Sequence, residues 1–349
     1  MPQYSCGPMS TTFPAPILKA AAENTRAIVS IALEHGAGAS SVVVWDGESE
    51  LSRGLTEAYR LSLPEAEFIE FDEAKRETIL ATFERLSPGD LVVMIQSTSF
   101  RLDAFRIRIE LFNRSLKVIE HPHLARMCGE EAVTYIEALA YDPDYFRGVG
   151  HALKARLDGA QVGVVESAGE RLTFPAGFES AKMNIGDYTG MKNTGGQFPI
   201  GEVFTESKDL EAVHGTLVIS FFGDTSFNLN RPPHPITLVI EEGRVTGTRN
   251  STDEFDEVLA NIRRDDGEVW LRELGLGLNR AFTNERTVLD IGSFERMCGV
   301  HVSLGSKHAM YNKPQIRKKT AKHHVDVFAV TDRVLLDDGV IYEDGSWVV

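Results

Sequence analysis

Apolar positions in the first half of the chain alternate between two periods. Over residues 16–35 they fall at helical spacing (Ile17, Leu18, Ala21, Ile28, Ile31, Ala32) and stop at Gly36, which predicts a helix. Residues 41–45, Ser-Val-Val-Val-Trp, form a short apolar run and predict a buried strand. The alternation continues with a helix over 50–61, a strand over 66–71 and a helix over 72–86. A strand over 91–95, a helix over 100–114 and a strand over 117–121 complete it. Strand–helix alternation of this kind predicts a parallel sheet flanked by helices.

The pattern changes after about residue 155. Strands are predicted in succession over 161–166, 171–175, 215–221, 235–240, 244–248, 299–304, 323–330 and 333–336. Turn signals such as Glu242-Gly243, Asp338-Gly339 and Asp344-Gly345 lie among them. One helix interrupts, over 252–264, with Ser251 and Glu254 read as a capping box. The expected organisation is an α/β domain with a parallel sheet over 1–155, then a β-rich α+β domain over 156–349. Neither internal repeats nor low-complexity segments occur.

Composition narrows the function. The chain has 349 residues, of which 42% are apolar and 25% charged, as in ordinary soluble globular proteins. No apolar run reaches the roughly 20 residues of a membrane-spanning helix. The N-terminal residues lack a basic segment followed by an apolar one, so the expected location is cytoplasmic. Cys6, Cys128 and Cys298 are odd in number and widely spaced, which predicts reduced cysteines rather than a disulfide framework. A net charge of −15 disfavours nucleic acid and anionic membrane as partners. The basic run Arg317-Lys318-Lys319, with Lys322, is a local exception that suits a solvated loop or an anionic group. No G-x-G-x-x-G follows the first strand and no G-x-x-x-x-G-K-[ST] occurs, so no nucleotide site is indicated. Ser40, Ser41 and Ser220 sit in no G-x-S-x-G elbow. Cys298 lies three residues before His301, on the opposite face of a predicted strand, which disfavours a Cys–His nucleophile.

Candidate chemistry gathers in the second half. In His324-Val325-Asp326 the imidazole and the carboxylate share one strand face and can bind a metal together. His301-Val302-Ser303-Leu304-Gly305 is followed by His308, so four of the ten histidines lie between positions 301 and 324. Glu202 follows a Gly/Pro loop in Gly201-Glu202-Val203-Phe204-Thr205. Glu273 opens Glu273-Leu274-Gly275-Leu276-Gly277, where alternating glycines suggest close approach of backbone or ligand.

These four segments, in this order, resemble the motifs of the metallo-aminopeptidases of the thermophilic and staphylococcal type, over roughly residues 160–349. The resemblance implies a hydrolase that cleaves an amide bond beside a free amino group, with a peptide or small-molecule substrate and a homodimeric state. It implies two divalent ions (Zn, Mn or Co) held by Glu202, Glu273, His301, His324 and Asp326, with Glu273 as general base. The family places a Tyr seven positions after the first His; here that position is His308, with Tyr311 three residues on. His308 is the candidate to replace that Tyr, as a ligand or as a catalytic group. The same superfamily includes ring-cleaving 2,5-dihydroxypyridine dioxygenases of similar length, which are expected to use one Fe(II) on a 2-His-1-carboxylate triad. Glu273 in place of a His, and an intact Gly201–Thr205 segment, favour the hydrolase over that oxygenase. A relative that binds a small molecule without catalysis is the third alternative.

Overall fold

The structure, a computed structural model, describes residues 13–36, 38–100, 107–316 and 321–349. Its residues group into two compact units. The first runs to Pro143 and includes Gly186–Ile200 and Arg286–Ser293. The second comprises Asp144–Ile185, Gly201–Glu285 and Phe294–Val349.

The first unit is built on a five-stranded, all-parallel sheet. Its spatial order is Glu67–Glu70, Ser41–Trp45, Leu91–Ile95, Lys117–His121 and Thr194–Gln197. Val42, Val44, Val92, Met94 and Val118 pack with Ile79, Phe83, Ile107 and Leu111 of the flanking helices Arg76–Arg85 and Ile107–Asn113. Period-two strand faces thus meet helical stripes, as the apolar pattern predicts. Helix Glu50–Ser62 begins at Ser49, whose hydroxyl accepts from the Ser52 amide while Ser52 returns the contact. Residues 101–106, the start of one predicted helix, lie outside the described residues, as do Cys6 and Arg317–Lys319. Among the described residues Cys298 is free.

His121 ends the fourth parallel strand with no exposed surface. Its Nε2 lies 2.8 Å from the Tyr59 hydroxyl and its Nδ1 2.8 Å from the Tyr135 hydroxyl. Burial lowers its pKa from 6.5 to about 3. Below pH 6.5 the unfolded chain therefore binds a proton that the folded ring refuses until about pH 3. This contribution to stability is complete above the unfolded value and declines as pH falls through that window. The melting temperature should drop on acidification, and His121→Gln should flatten the dependence. An unchanged slope in the variant would contradict the assignment.

The second unit is dominated by an antiparallel sheet. Its spatial order is Ser346–Trp347, Gly339–Glu343, Arg333–Leu336, Gly163–Ser167, Glu170–Phe174, His214–Gly223, Val325–Ala329, Gly299–Leu304, Leu271–Gly277, Glu202–Glu206 and Lys182–Asn184. The fold is thus an α/β region with a parallel sheet and a β-rich region with antiparallel strands. Helix Asp253–Asp266 is capped by Thr252, whose hydroxyl accepts from the Phe255 amide. The predicted Ser251/Glu254 capping box is therefore displaced by one residue: Thr252 is the last extended residue, and Ser251 instead donates to Asp256. Among the described residues no helix is long and apolar enough to cross a membrane.

Candidate metal centre

Four neighbouring strands of the antiparallel sheet carry the candidate residues: Val325–Ala329, Gly299–Leu304, Leu271–Gly277 and Glu202–Glu206. Side chains alternate along each strand, so one position per strand builds a cluster on one face. Asp326 lies opposite Ser303, His301 opposite Gly275, and Gly277 opposite Glu202. His324 immediately precedes its strand, and its Nε2 lies 3.1 Å from Asp326 Oδ1.

The donor atoms of Glu202, Glu273 and His301 lie within 4.8 Å of one another, and so do those of Glu273, His324 and Asp326. Glu273 belongs to both groups. Glu202, Glu273 and Asp326 are each 5% exposed and His301 is 1% exposed. His301 Nε2 lies 3.2 Å from Glu202 Oε1 and 3.4 Å from Glu273 Oε1. Among the described residues His301 Nδ1 has no hydrogen-bond partner, and the buried His301 Nε2 and Asp326 Oδ1 meet only other members of the cluster, at 3.1–3.4 Å and without hydrogen-bond geometry. Buried imidazole and carboxylate donors that turn toward one another, with an orphaned nitrogen on His301, fit a divalent ion.

The electrostatics agree with that fit. Burial pushes the Glu273 carboxyl up, but the imidazoles of His301, His308 and His324 more than offset it and hold it well below the usual range. Burial lowers His301, and the Glu202 and Glu273 carboxylates reverse this and raise it well above its ordinary value. His324 is lowered by burial and raised by Asp326, with a net rise to about 10.

The alternating glycines have a physical reason. A Cβ on Gly275 would lie 2.1 Å from Cε1 and Nε2 of His301, so only glycine leaves room for that imidazole. Gly275→Ala should displace His301 and weaken metal binding by roughly 10–100-fold, the scale seen when the support of a metal ligand is removed. Metal titration of the variant checks this, and wild-type affinity would contradict it.

Sequence reasoning missed the charges around the cluster. Arg296 Nη1 lies 3.2 Å from Glu202 Oε2, and its guanidinium also contacts Glu295. Desolvation, together with Glu202 and Asp326, pushes Glu295 up to about 8 against the opposing pull of Arg296. Arg272 donates from Nε to Glu206 Oε1 at 2.9 Å, with Nη2 at 2.7 Å from the same oxygen, and Glu206 is completely buried. The ladder is irregular between Leu271 and Leu274, and across that bulge the consecutive Arg272 and Glu273 reach one network. The available signal is a second charge in each strand, Glu206 beside Glu202 in Glu202–Glu206 and Arg272 beside Glu273 in Leu271–Gly277.

His308 joins neither three-donor group. Its Nε2 lies 2.9 Å from Glu273 Oε2, and its Nδ1 contacts Glu206 Oε1. The Tyr311 hydroxyl is engaged elsewhere, donating to the Ser180 carbonyl at 2.8 Å. The Cys298 thiol is pushed up by burial to about 11, which disfavours a thiolate. Lys322 and His323 approach Asp265 rather than the cluster.

No protein-family model and no curated protein matches the sequence. Solved structures do match. The 2,5-dihydroxypyridine dioxygenase from Pseudomonas putida KT2440 aligns over 98% of both chains, with 16% identity and a TM-score of 0.63. Wild-type AmpT from Thermus thermophilus, an aminopeptidase, aligns over 95% of this chain and 99% of its own, with 17% identity and a TM-score of 0.57. The chain shares their fold. Both sides of the resemblance drawn from the sequence are therefore represented among its structural neighbours, one an oxygenase and one an aminopeptidase.

Proposed function

We propose that this protein is a metal-dependent hydrolase that cleaves an amide bond beside a free amino group. The supporting observation is Glu273, a single buried carboxylate shared by two separate three-donor groups. One carboxylate common to two ligand sets suits two neighbouring divalent ions, and the imidazole and carboxylate donors suit Zn, Mn or Co. Glu202, Glu273, His301, His324 and Asp326 would hold them. When bound, such ions activate water and polarise a carbonyl. Glu273 is proposed as the ligand common to both ions, a role that commits its oxygens to the ions rather than to accepting a proton. The surrounding carboxylates favour a substrate that presents an ammonium group. A homodimer acting on peptides or small aminoacyl compounds belongs to the same proposal.

One contact favours a second reading, a mononuclear Fe(II) ring-cleaving dioxygenase. Arg296 places a guanidinium on Glu202, the carboxylate that only the two-ion set requires. An activity screen separates the two. The hydrolase reading expects metal-dependent release of amine from aminoacyl amides or dipeptides, abolished by a chelator. Oxygen uptake with Fe(II) and a dihydroxypyridine, without amide cleavage, would replace it by the second reading. Inactivity in both assays, with small-molecule binding intact, would leave the non-catalytic relative.

A further inference from the structure

Glu206, His308 and Glu273 form an unbroken chain of polar contacts within the second unit. Glu206 has no exposed surface and lies on the same strand face as Glu202, four positions away. It is anchored from behind by Arg272, whose Nη1 also donates to the Ser306 carbonyl at 2.7 Å. In front, Glu206 Oε1 contacts His308 Nδ1. The other ring nitrogen, Nε2, lies 2.9 Å from Glu273 Oε2. The opposite carboxylate oxygen, Glu273 Oε1, is the one that faces His301. Tyr311 and Phe204 flank the His308 ring, with centroids 5.4 and 6.1 Å away. Both polar edges of His308 are therefore engaged, and its plane is hemmed by aromatic groups.

We propose that His308 is a positioning residue that Glu206 orients and that in turn fixes the Glu273 carboxylate, rather than a metal ligand or a group that touches substrate. The inference rests on the metal-centre reading above and deepens it. A carboxylate that serves two donor groups has two rotational states of similar shape. A hydrogen bond to one oxygen selects the state in which the other faces the remaining ligands. Partners that orient metal ligands in this way typically affect metal affinity by 10–100-fold. The chain Arg272–Glu206–His308 supplies that bond from a rigid, buried origin.

Two amide substitutions separate the edges of the ring. The longer amide of His308→Gln can reach the place of Nε2 and donate to Glu273. The shorter amide of His308→Asn can occupy the place of Nδ1 and satisfy Glu206 without reaching Glu273. The test is competitive titration of the full-length chain and both variants with Zn²⁺, alongside thermal melting. The expected result is an affinity for His308→Gln within about threefold of wild type and a loss of roughly 10–100-fold for His308→Asn, with stoichiometry unchanged in both. A merely structural role predicts lowered melting temperatures with equal Zn²⁺ affinities in the two variants, which would overturn the proposal. Loss of one Zn²⁺ equivalent in both variants would also overturn it, by making His308 a ligand. Failure of the wild-type chain itself to bind Zn²⁺ would instead count against the metal-hydrolase reading.

Discussion

Glu273→Gln is expected to abolish metal uptake at both positions and to reduce activity to background. The amide keeps the size of the side chain but removes the charge that both donor groups share. A divalent ion in a buried site needs anionic ligands, and an amide oxygen is a poor substitute between two of them. Glu202→Gln should remove one ion and Asp326→Asn the other, because each belongs to a single group. The three variants together form an internal control. Equal loss in all three would argue for one cooperative site, and retention of metal by Glu273→Gln would overturn the shared-ligand account. Elemental analysis of each purified variant, with a melting curve to confirm folding, is sufficient.

Arg272→Ala is the second large effect, and it acts on stability. The Arg272 side chain is 3% exposed and its Glu206 partner is fully buried. Removing the guanidinium leaves the buried Glu206 carboxylate with only the His308 imidazole in contact and the Lys313 ammonium 3.9 Å away, and it strips the Ser306 carbonyl of that donor. Breaking such a pair from one side typically costs about 3–5 kcal/mol. That is a large share of the roughly 5–15 kcal/mol that ordinarily stabilises a domain. The denaturation midpoint should fall accordingly. Because desolvating both charges is itself costly, the double substitution Arg272→Met with Glu206→Leu should recover much of the loss. A single variant as stable as wild type would show that the pair is not buried in solution.

Much of the fold is legible in the sequence. Runs such as Val42–Val44 and Leu91–Ile95 read as buried strands because β-branched and apolar residues cluster there. The fifth parallel strand, Thr194–Gln197, escapes notice because Thr-Gly-Gly-Gln carries no apolar run, and only pairing with Lys117–His121 defines it. Helices Glu130–Ala138 and Pro143–Gly159 escape for a similar reason. Small and polar residues interrupt their apolar stripes, and tertiary packing decides them. The return of Gly186–Ile200 and Arg286–Ser293 to the first unit depends on contacts distant in sequence.

The same division runs through the candidate site. Glu202, Glu273, His301, His324 and Asp326 stand out as short ordered motifs, and the structure brings four of them onto adjacent strands, with His324 just ahead of the strand that carries Asp326. Glu206 and Arg272 carry no such motif. Their pairing depends on strand register and on a bulge between Leu271 and Leu274, neither of which local sequence encodes. The position of His308 stood out in sequence, but only its two carboxylate neighbours show how it is held.

The most direct test of the central claim is the metal content of protein purified without added metal, and again after reconstitution, by elemental mass spectrometry. The account predicts two Zn, Mn or Co ions per chain. A single Fe per chain, or no metal even after reconstitution with divalent ions, would contradict it.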